Sequence, residues 1–244
     1  MFSLIKKIFN IKWYYLLYGS YVYVEPGSTF KHGKNISIRN AKIHLIRNSS
    51  LILGDNVRIK DTLFALSKGN IIIGNNSVFS KGEMPTKQKI IVSNGKILFG
   101  QFNRVRTQKV WIRFGGILKL GNFINLNDFT EIRCDDSITL GDYVESSYRV
   151  KIWDTNTHEL EPIIERRKRW EELYLKRDVS EKPKTKPVII GNDCWIGDSV
   201  TILKGTTVGC RCICGYGVIL SNITVPDSTT IVNQIKYKTF NNGN

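Results

Sequence analysis

An apolar residue recurs at every sixth position toward the C-terminal end of the chain, and this repeat restricts the possible folds more than any other feature. The repeated apolar positions are Ile190, Ile196, Ile202, Val208, Cys214 and Leu220, and the fifth place of each unit holds a small residue. Six residues are too few for a pair of helices, but they suit a short strand with one inward apolar side chain and a polar corner. Three such strands close a triangular coil of about 18 residues. The repeat therefore predicts a solenoid of stacked coils around a thin core.

A second pattern extends the solenoid toward the N-terminus. An apolar residue, any residue and another apolar residue are followed by glycine and then by Asp, Asn or Gln, with the glycines at positions 54, 74, 100, 121, 141 and 191. The last step in this series is long enough for one coil and an insertion. We therefore predict an N-terminal helix and cap over residues 1–35, a β-helix domain over residues 36–232 with a loop insertion over residues 159–187, and a C-terminal tail over residues 233–244. The middle of the insertion is predicted to form a short helix, with Ile164, Trp170 and Leu173 as its apolar anchors.

The N-terminal segment, the hydropathy and the cysteines indicate where in the cell the protein is located. Residues 2–18 are apolar with interspersed lysines, and they predict a helix that caps the open end of the solenoid; attachment to an anionic inner membrane is the alternative. No apolar run is long enough to span a membrane. The odd number of cysteines, without an export signal, favours a reducing compartment. We expect a cytoplasmic protein, free or at the inner face of the cytoplasmic membrane.

The cysteines and the charge limit the ligands that the chain can bind. Cys210, Cys212 and Cys214 are too closely spaced for the usual zinc sites, so we expect core packing and no metal. The formal net charge is +15, and residues 1–120 contain 20 basic and 4 acidic side chains. An elongated fold would spread this excess over one long surface, which favours an extended anionic partner. The alternative is that the lysines protect strand edges from aggregation.

The residues of the repeat resemble a known family. Residues 188–225, together with residues 118–158, resemble the hexapeptide-repeat acyltransferases, especially the galactoside and maltose acetyltransferases and the O-acetyltransferases of bacterial surface polysaccharides. The resemblance implies an all-β fold, a left-handed parallel β-helix solenoid. It also implies acyl transfer from acetyl-CoA without a required metal, by a homotrimer with its active sites at the subunit interfaces.

The same resemblance implies the catalytic residues. His158 matches the general base of the family, and an imidazole can accept a proton from a sugar hydroxyl at neutral pH. Asn127 matches an active-site asparagine whose amide orients the acceptor hydroxyl, with Asn125 as its close competitor. The alternative for Asn127 is a purely structural asparagine at a coil corner.

The residues expected to bind acetyl-CoA follow from the same alignment. Trp195 matches a tryptophan that lines the thioester site, and the backbone N–H groups of Asp198 and Tyr216 match donors to the thioester oxygen and to pantetheine. Gly215 and Gly217 flank Tyr216 and allow close approach. The chain departs from the family in two places. Asn222 stands where some relatives have a phosphate-binding lysine, and Val232 replaces part of a closing segment; Lys236 is expected to supply the missing charge.

The acceptor is expected to lie between the coil and the insertion. We assign Trp153 and Asp154 to substrate binding, together with Arg166, Arg169 and Trp170 of the insertion, although these arginines can instead pair with nearby glutamates. The predicted function is O-acetylation of a sugar hydroxyl in a bacterial surface polysaccharide, acidic rather than neutral because of the charge, with no role in nucleic-acid binding. The alternatives are N-acetylation of an amino sugar nucleotide and a non-catalytic β-helical binding scaffold.

Overall fold

Short strands arranged in three sheets make up most of the described chain. The structure is a computed structural model, and it describes residues 19–158, 161–175, 181–234, 236 and 238. Sheet A contains β1 (Tyr21–Val24), β4 (Lys42–Ile46), β7 (Thr62–Ser67), β10 (Gln88–Val92), β13 (Lys109–Ile112), β16 (Glu131–Cys134), β19 (Lys151–Trp153), β22 (Thr201–Leu203) and β25 (Ile219–Leu220). Sheet B contains β2 (Thr29–His32), β5 (Ser50–Leu53), β8 (Gly69–Ile73), β11 (Gly95–Phe99), β14 (Gly116–Leu120), β17 (Ser137–Leu140), β20 (Val188–Ile190), β23 (Thr207–Val208) and β26 (Thr224–Val225). Sheet C contains β3 (Ser37–Arg39), β6 (Arg58–Lys60), β9 (Val78–Phe79), β12 (Arg104–Val105), β15 (Asn125–Leu126), β18 (Glu145–Ser146), β21 (Trp195–Ile196), β24 (Ile213–Cys214) and β27 (Thr230–Ile231).

The chain winds through the three sheets in a fixed order. Successive strands lie in sheets A, B and C in turn, and each strand pairs in parallel with the strand three places along the chain, as β4 does with β7. Stacking of parallel strands in this order makes each group of three strands one coil of a solenoid. The predicted left-handed parallel β-helix is therefore confirmed.

One inward side chain per strand or corner fills the interior. The apolar positions of the six-residue repeat are all buried, with exposed fractions between 0% and 5%. Burial of each such Ile or Leu side chain stabilises the fold by about 1.5–3 kcal/mol. Cys134, Cys194, Cys212 and Cys214 are buried thiols in this core, and burial raises the pKa of Cys194 to about 11. Among the described residues, no group of three or more His, Cys, Asp or Glu is placed to hold a metal ion.

The glycine of the longer repeat is explained by contacts between coils. A Cβ atom added at Gly54 would lie 2.3 Å from Oδ1 of Asn75 and 2.8 Å from its backbone nitrogen. The Asn75 side chain accepts a hydrogen bond from the Asp55 N–H at 2.8 Å, which joins one coil to the next. The same bond to the backbone of the preceding coil is made by Asp55, Asn75, Asn122, Asp142 and Asn192, and the glycine of that preceding coil leaves room for it.

The turn from sheet B to sheet C carries two different ladders of side chains. In the first coils Asn35 and Asn56 donate to Asn56 and Asn76, at 3.1 and 2.9 Å. In the next coils Phe102, Phe123 and Tyr143 stack at ring separations of 4.8 Å. All of these residues adopt a left-handed φ between 54° and 59°, so the aromatic rings occupy positions that asparagine tolerates more easily.

The ends and the insertion are described in part. β1 begins at Tyr21, within the range assigned to the N-terminal cap, and the helix predicted over residues 2–18 lies outside the described residues. The helix predicted in the insertion is present as α1 (Ile163–Tyr174). The helix anchors predicted within the insertion, Ile164, Trp170 and Leu173, are exposed by 80%, 63% and 41%, because α1 buries no residue against its own coil. No helix among the described residues is long and apolar enough to cross a membrane.

Candidate functional site

The predicted site residues divide between the two edges of sheet A. Asn127, Asp198 and Tyr216 lie where the chain turns from sheet C into sheet A, which we call the C–A corner. Trp153 ends β19 of sheet A, and His158 lies beyond it on the way to sheet B, at the A–B corner. One copy of the chain therefore brings the predicted acetyl-CoA residues together with Asn127, but it holds His158 at the opposite edge of the sheet.

A neighbouring arginine orients Asn127. The Asn127 N–H donates to Oγ of Ser146 at 3.3 Å, and Nη2 of Arg106, one coil below, donates to Oδ1 of Asn127. With its carbonyl oxygen turned toward Arg106, Asn127 directs its amide NH2 group away from this contact as a hydrogen-bond donor. The competitor Asn125 lies on β15, and its NH2 group donates to Glu145 at 3.0 Å, whereas its buried Oδ1 has no partner among the described residues.

The C–A corner also contains buried polar atoms without partners. The Asp128 carboxylate is buried, and its Oδ2 accepts the Glu83 N–H at 2.8 Å. Its Oδ1 lies 3.4 Å from Nε of Arg106, and both atoms, like Oγ1 of Thr130, lack a hydrogen-bond partner within the described structure. Buried polar groups are usually paired, so this cluster beside Asn127 marks a site that a polar ligand can complete. The sequence analysis missed Arg106 and Asp128, since no local motif joins them to Asn127.

A cleft of about 470 Å³ lies next to this cluster. Its lining residues are Gln108, Phe129, Arg149, Lys151, Ser199 and Thr201. Nη2 of Arg149 lies 2.5 Å from the Asp198 carboxylate, and its Nε donates to Ser199 at 3.3 Å. The cleft thus combines an apolar ring, two cations and several hydroxyl and amide groups, a set that suits a polar ligand with an anionic group.

The predicted acetyl-CoA residues continue along the same corner. Trp195 lies on β21 with an exposed fraction of 52%, and Tyr216 is 73% exposed one coil further. The N–H groups of Asp198 and Tyr216 donate to no acceptor among the described residues, whereas the Gly217 N–H donates to Asp198 at 2.9 Å. Gly217 adopts a left-handed φ of 67°, whereas a Cβ atom added at Gly215 would lie 3.1 Å from the Ile231 carbonyl oxygen, so Gly215 allows close packing of the next coil. Neighbouring coils are about 4.8 Å apart, so these two N–H groups form a line of donors.

Two lysines are available for phosphate groups. Lys236 is exposed beyond the last coil. Nζ of Lys186 lies 2.8 Å from Oδ1 of Asn222. A lysine from the end of the insertion therefore contacts the residue that stands where some relatives have a phosphate-binding lysine. Sequence reasoning missed this lysine because the two residues are 36 positions apart.

At the A–B corner, Asp154 is part of the scaffold. Its side chain is fully buried, and its two oxygens accept the backbone N–H groups of Asp135 and Asp136, both at 2.8 Å. The Cys134 thiol donates a further hydrogen bond, and burial is the main cause of the raised pKa of Asp154. Since these donors and the surrounding core enclose the carboxylate, the geometry gives Asp154 a positioning role in place of the predicted contact with substrate.

A short segment held by pairing between the two ends of the insertion, which we call the stem, precedes His158. Thr155 forms an antiparallel bridge with Thr185, and the Lys186 N–H donates to the Asp154 carbonyl at 3.0 Å. Thr157 adopts a left-handed φ of 66°, which is uncommon for a β-branched residue, and its N–H donates to Oγ1 of Thr155 at 3.1 Å. The stem and this strained turn fix the place at which the exposed His158 leaves the coil.

Of the other residues assigned to substrate binding, Trp153 lies on β19 two residues from Lys151 of the cleft, and the rest lie on the insertion. Trp153 packs on the outer face of sheet A, where the Arg133 guanidinium lies 4.4 Å from its ring centroid, and its buried Nε1 has no partner. In the insertion, Arg169 pairs with Glu161 at 2.8 Å, whereas Arg166 and Trp170 are exposed on α1.

Comparison with known proteins gives one sequence relative. No family model matches the chain. It is 29% identical over 133 residues to the "Probable acetyltransferase Rv3034c" of Mycobacterium tuberculosis (strain ATCC 25618 / H37Rv), a match that covers 54% of this chain. The chain spans 38% of the length of that relative.

Two solved structures also match most of the chain, at low sequence identity. A crystal structure of the polySia-specific acetyltransferase NeuO is 17% identical, with 90% of this chain and 92% of that chain covered and a TM-score of 0.45. The polysialic acid O-acetyltransferase OatWY is 17% identical, with 86% and 94% covered and a TM-score of 0.33. In its six-residue repeat, in its three-sided parallel coil and in its sequence likeness to an acetyltransferase, this chain is similar to the hexapeptide-repeat acyltransferases.

Proposed function

We propose that this chain is an acetyl-CoA-dependent O-acetyltransferase that acts on a sugar hydroxyl of a surface polysaccharide. The main support is the C–A corner, which carries the amide of Asn127 and the N–H groups of Asp198 and Tyr216, together with a cleft lined by Phe129 and Ser199. The sequence likeness to a probable acetyltransferase supports the same reaction. All five cysteines are free thiols, which is in keeping with a reducing cytoplasm.

His158 acts as the general base in this proposal. It takes the proton from the acceptor hydroxyl, whose oxygen then attacks the acetyl carbonyl carbon and displaces a thiolate. The Asp198 N–H donates to the carbonyl oxygen as negative charge develops there, and the amide of Asn127 orients the hydroxyl. The imidazolium of His158 returns the proton to the leaving sulfur, so the residue ends the cycle neutral. Acetyl-CoA supplies the activated thioester.

The residues present suit the binding of coenzyme A. The exposed rings of Trp195 and Tyr216 offer apolar surface to the pantetheine chain, and the N–H of Tyr216 offers a donor to its amides. Lys186 places a cation beside Asn222, and Lys236 adds a second, so the phosphates meet positive charge without the lysine of the relatives.

Binding of coenzyme A tests this proposal without knowledge of the acceptor. Calorimetry is expected to show saturable binding near one site per chain, and Lys186→Gln is expected to weaken it about fivefold by removing a phosphate contact. Lys119→Gln, which removes an exposed lysine from sheet B, should change the affinity less than twofold. A folded protein that binds no coenzyme A would instead be the non-catalytic scaffold.

The active site in this proposal is completed by a second copy. Asn127 and His158 lie at opposite edges of sheet A in one chain, and the stem at Thr155 and Thr185 holds His158 at its edge. In a cyclic homotrimer, the C–A corner of one copy can meet the A–B corner of the next, and each interface then holds one Asn127 and one His158.

Mixing two inactive variants tests this arrangement. Asn127→Ala and His158→Ala are each expected to be nearly inactive, but trimers reassembled from equal amounts of both should regain about a quarter of the wild-type activity. That fraction is the chance that an interface receives the intact residue from each side. Each variant reassembled with itself serves as the control. If the mixture stays inactive while mixed trimers are present, the site lies within one chain.

A further inference from the structure

Five cations lie on the outer face of sheet C, in two adjacent columns that are interrupted at β9. Arg39 on β3 is in register with Lys60 on β6, and Arg58 on β6 and Arg104 on β12 flank Val78 of β9. Arg106 follows Arg104 by two positions, on the same side of the coil. We call these residues, Arg39, Arg58, Lys60, Arg104 and Arg106, the basic row. Strands in a sheet are about 4.8 Å apart, so the row extends over roughly 14 Å along the solenoid.

Three members of the basic row have a charge that is available to a partner. Arg58, Lys60 and Arg104 are exposed, and none of them forms an ion pair with another described residue. The outward positions of β3, β6, β9 and β12 contain no acidic residue. Unopposed cations in a line create a positive potential that attracts an extended anion more strongly than a small one.

The basic row leads to the candidate site. Its last member, Arg106, contacts Asn127 and lies 3.4 Å from Asp128, at the C–A corner that the proposed function uses. One strand beyond Asn125 the charge changes sign at Glu145. The row therefore ends where the acceptor hydroxyl would have to be.

A chain excursion borders the row on the side of sheet A. Residues 80–87 connect β9 to β10 and run along the C–A corner across several coils. At one end of this excursion Nζ of Lys87 donates to Oδ1 of Asn40 at 2.6 Å, and near the other end the Glu83 N–H donates to Asp128. The basic row thus forms the floor of a groove, and residues 80–87 form its wall on the side of sheet A.

We propose that the basic row binds the repeating anionic groups of an acidic polysaccharide and directs one sugar of that polymer to the Asn127 corner. This inference rests on the proposed function, and it specifies the acceptor as a charged polymer and not a free sugar. A line of cations matches regularly spaced carboxylates. Single-stranded nucleic acid is the competing ligand, because its bases need aromatic stacking surfaces. The outward positions of β3, β6, β9 and β12 contain none, but the exposed ring of Phe102 lies just before β12, so single-stranded DNA is included in the test.

Fluorescence anisotropy with labelled oligogalacturonates of increasing length tests this proposal. Affinity is expected to rise with oligomer length until the chain spans the row. The triple variant Arg58→Gln, Lys60→Gln, Arg104→Gln is expected to lower the affinity for the long oligomer about tenfold. The matched control removes three exposed lysines from sheet B, Lys31→Gln, Lys96→Gln, Lys119→Gln, and should lower it less than twofold.

Three outcomes would overturn the proposal. The first is that the two triple variants lose affinity equally, and the second is that the row variant loses none. The third is that single-stranded DNA of equal charge binds the row as tightly as the oligogalacturonate. Calorimetry with coenzyme A on the same proteins separates this proposal from the proposed function. The row variant should bind coenzyme A like the wild type, whereas a wild-type protein that binds the oligomer but no coenzyme A contradicts only the proposed function.

Discussion

Replacing His158 with alanine is expected to lower the turnover number by about two orders of magnitude or more, because it removes the group that accepts the hydroxyl proton. The stem formed by Thr155 and Thr185 does not involve the imidazole, so the fold and the affinity for coenzyme A should not change. Turnover is measured as the release of free thiol from acetyl-CoA in the presence of an acceptor that the wild type acetylates.

The two other histidines provide matched controls for His158. His32 lies on β2 and His44 on β4, both exposed and in the first coils of the solenoid, far from β19 along its axis. Replacement of either by alanine should leave turnover within about twofold of the wild type. Wild-type turnover in His158→Ala would contradict the role of general base.

The coil could be predicted from the sequence because each of its requirements is local. One strand needs one apolar anchor, and the anchors at Ile196 and Ile202 are six residues apart because a side of the triangle has that length. The glycine and the polar residue after it mark the same corner in every coil, as Gly54 and Asp55 do. This pattern of apolar residues and glycines recurs along the chain, and its recurrence allows the coil to be predicted.

The candidate site could be predicted only in part, because its contacts join residues from different coils. Arg106 touches Asn127 across 21 positions, and Lys186 touches Asn222 across 36, so no short motif contains either pair. The anchoring role given to Trp170 was wrong for a related reason. Amphipathic spacing shows that a helix has an apolar side, but not which surface covers that side. Within the described part of the chain, α1 buries none of its residues.

The role of Asp154 shows the same limit, since a polar residue after a strand resembles part of a surface loop. In the structure its carboxylate is instead the buried acceptor for the N–H groups of Asp135 and Asp136, directly before the stem that holds His158. Asp154→Ala would leave both N–H groups buried without an acceptor, at a cost of about 1–3 kcal/mol for each. We expect the midpoint of thermal unfolding to fall by roughly 5–10 °C.

The same variant is expected to lose activity through His158 and not through acetyl-CoA. Because the Asp154 carbonyl also receives the Lys186 N–H, a loosened corner should let the stem shift, and turnover should fall at least tenfold at a temperature where the variant is folded. The affinity for coenzyme A should fall no more than about fivefold, the loss expected for Lys186→Gln, because Asp198 and Tyr216 lie at the other edge of sheet A and only Lys186 is joined to Asp154. Glu165→Gln, which removes an exposed carboxylate from α1, is the control and should change neither the unfolding midpoint nor turnover. A stable Asp154→Ala protein with full turnover would show that the stem is positioned by other contacts, whereas a parallel loss of coenzyme A binding would mean that the whole solenoid had been disturbed.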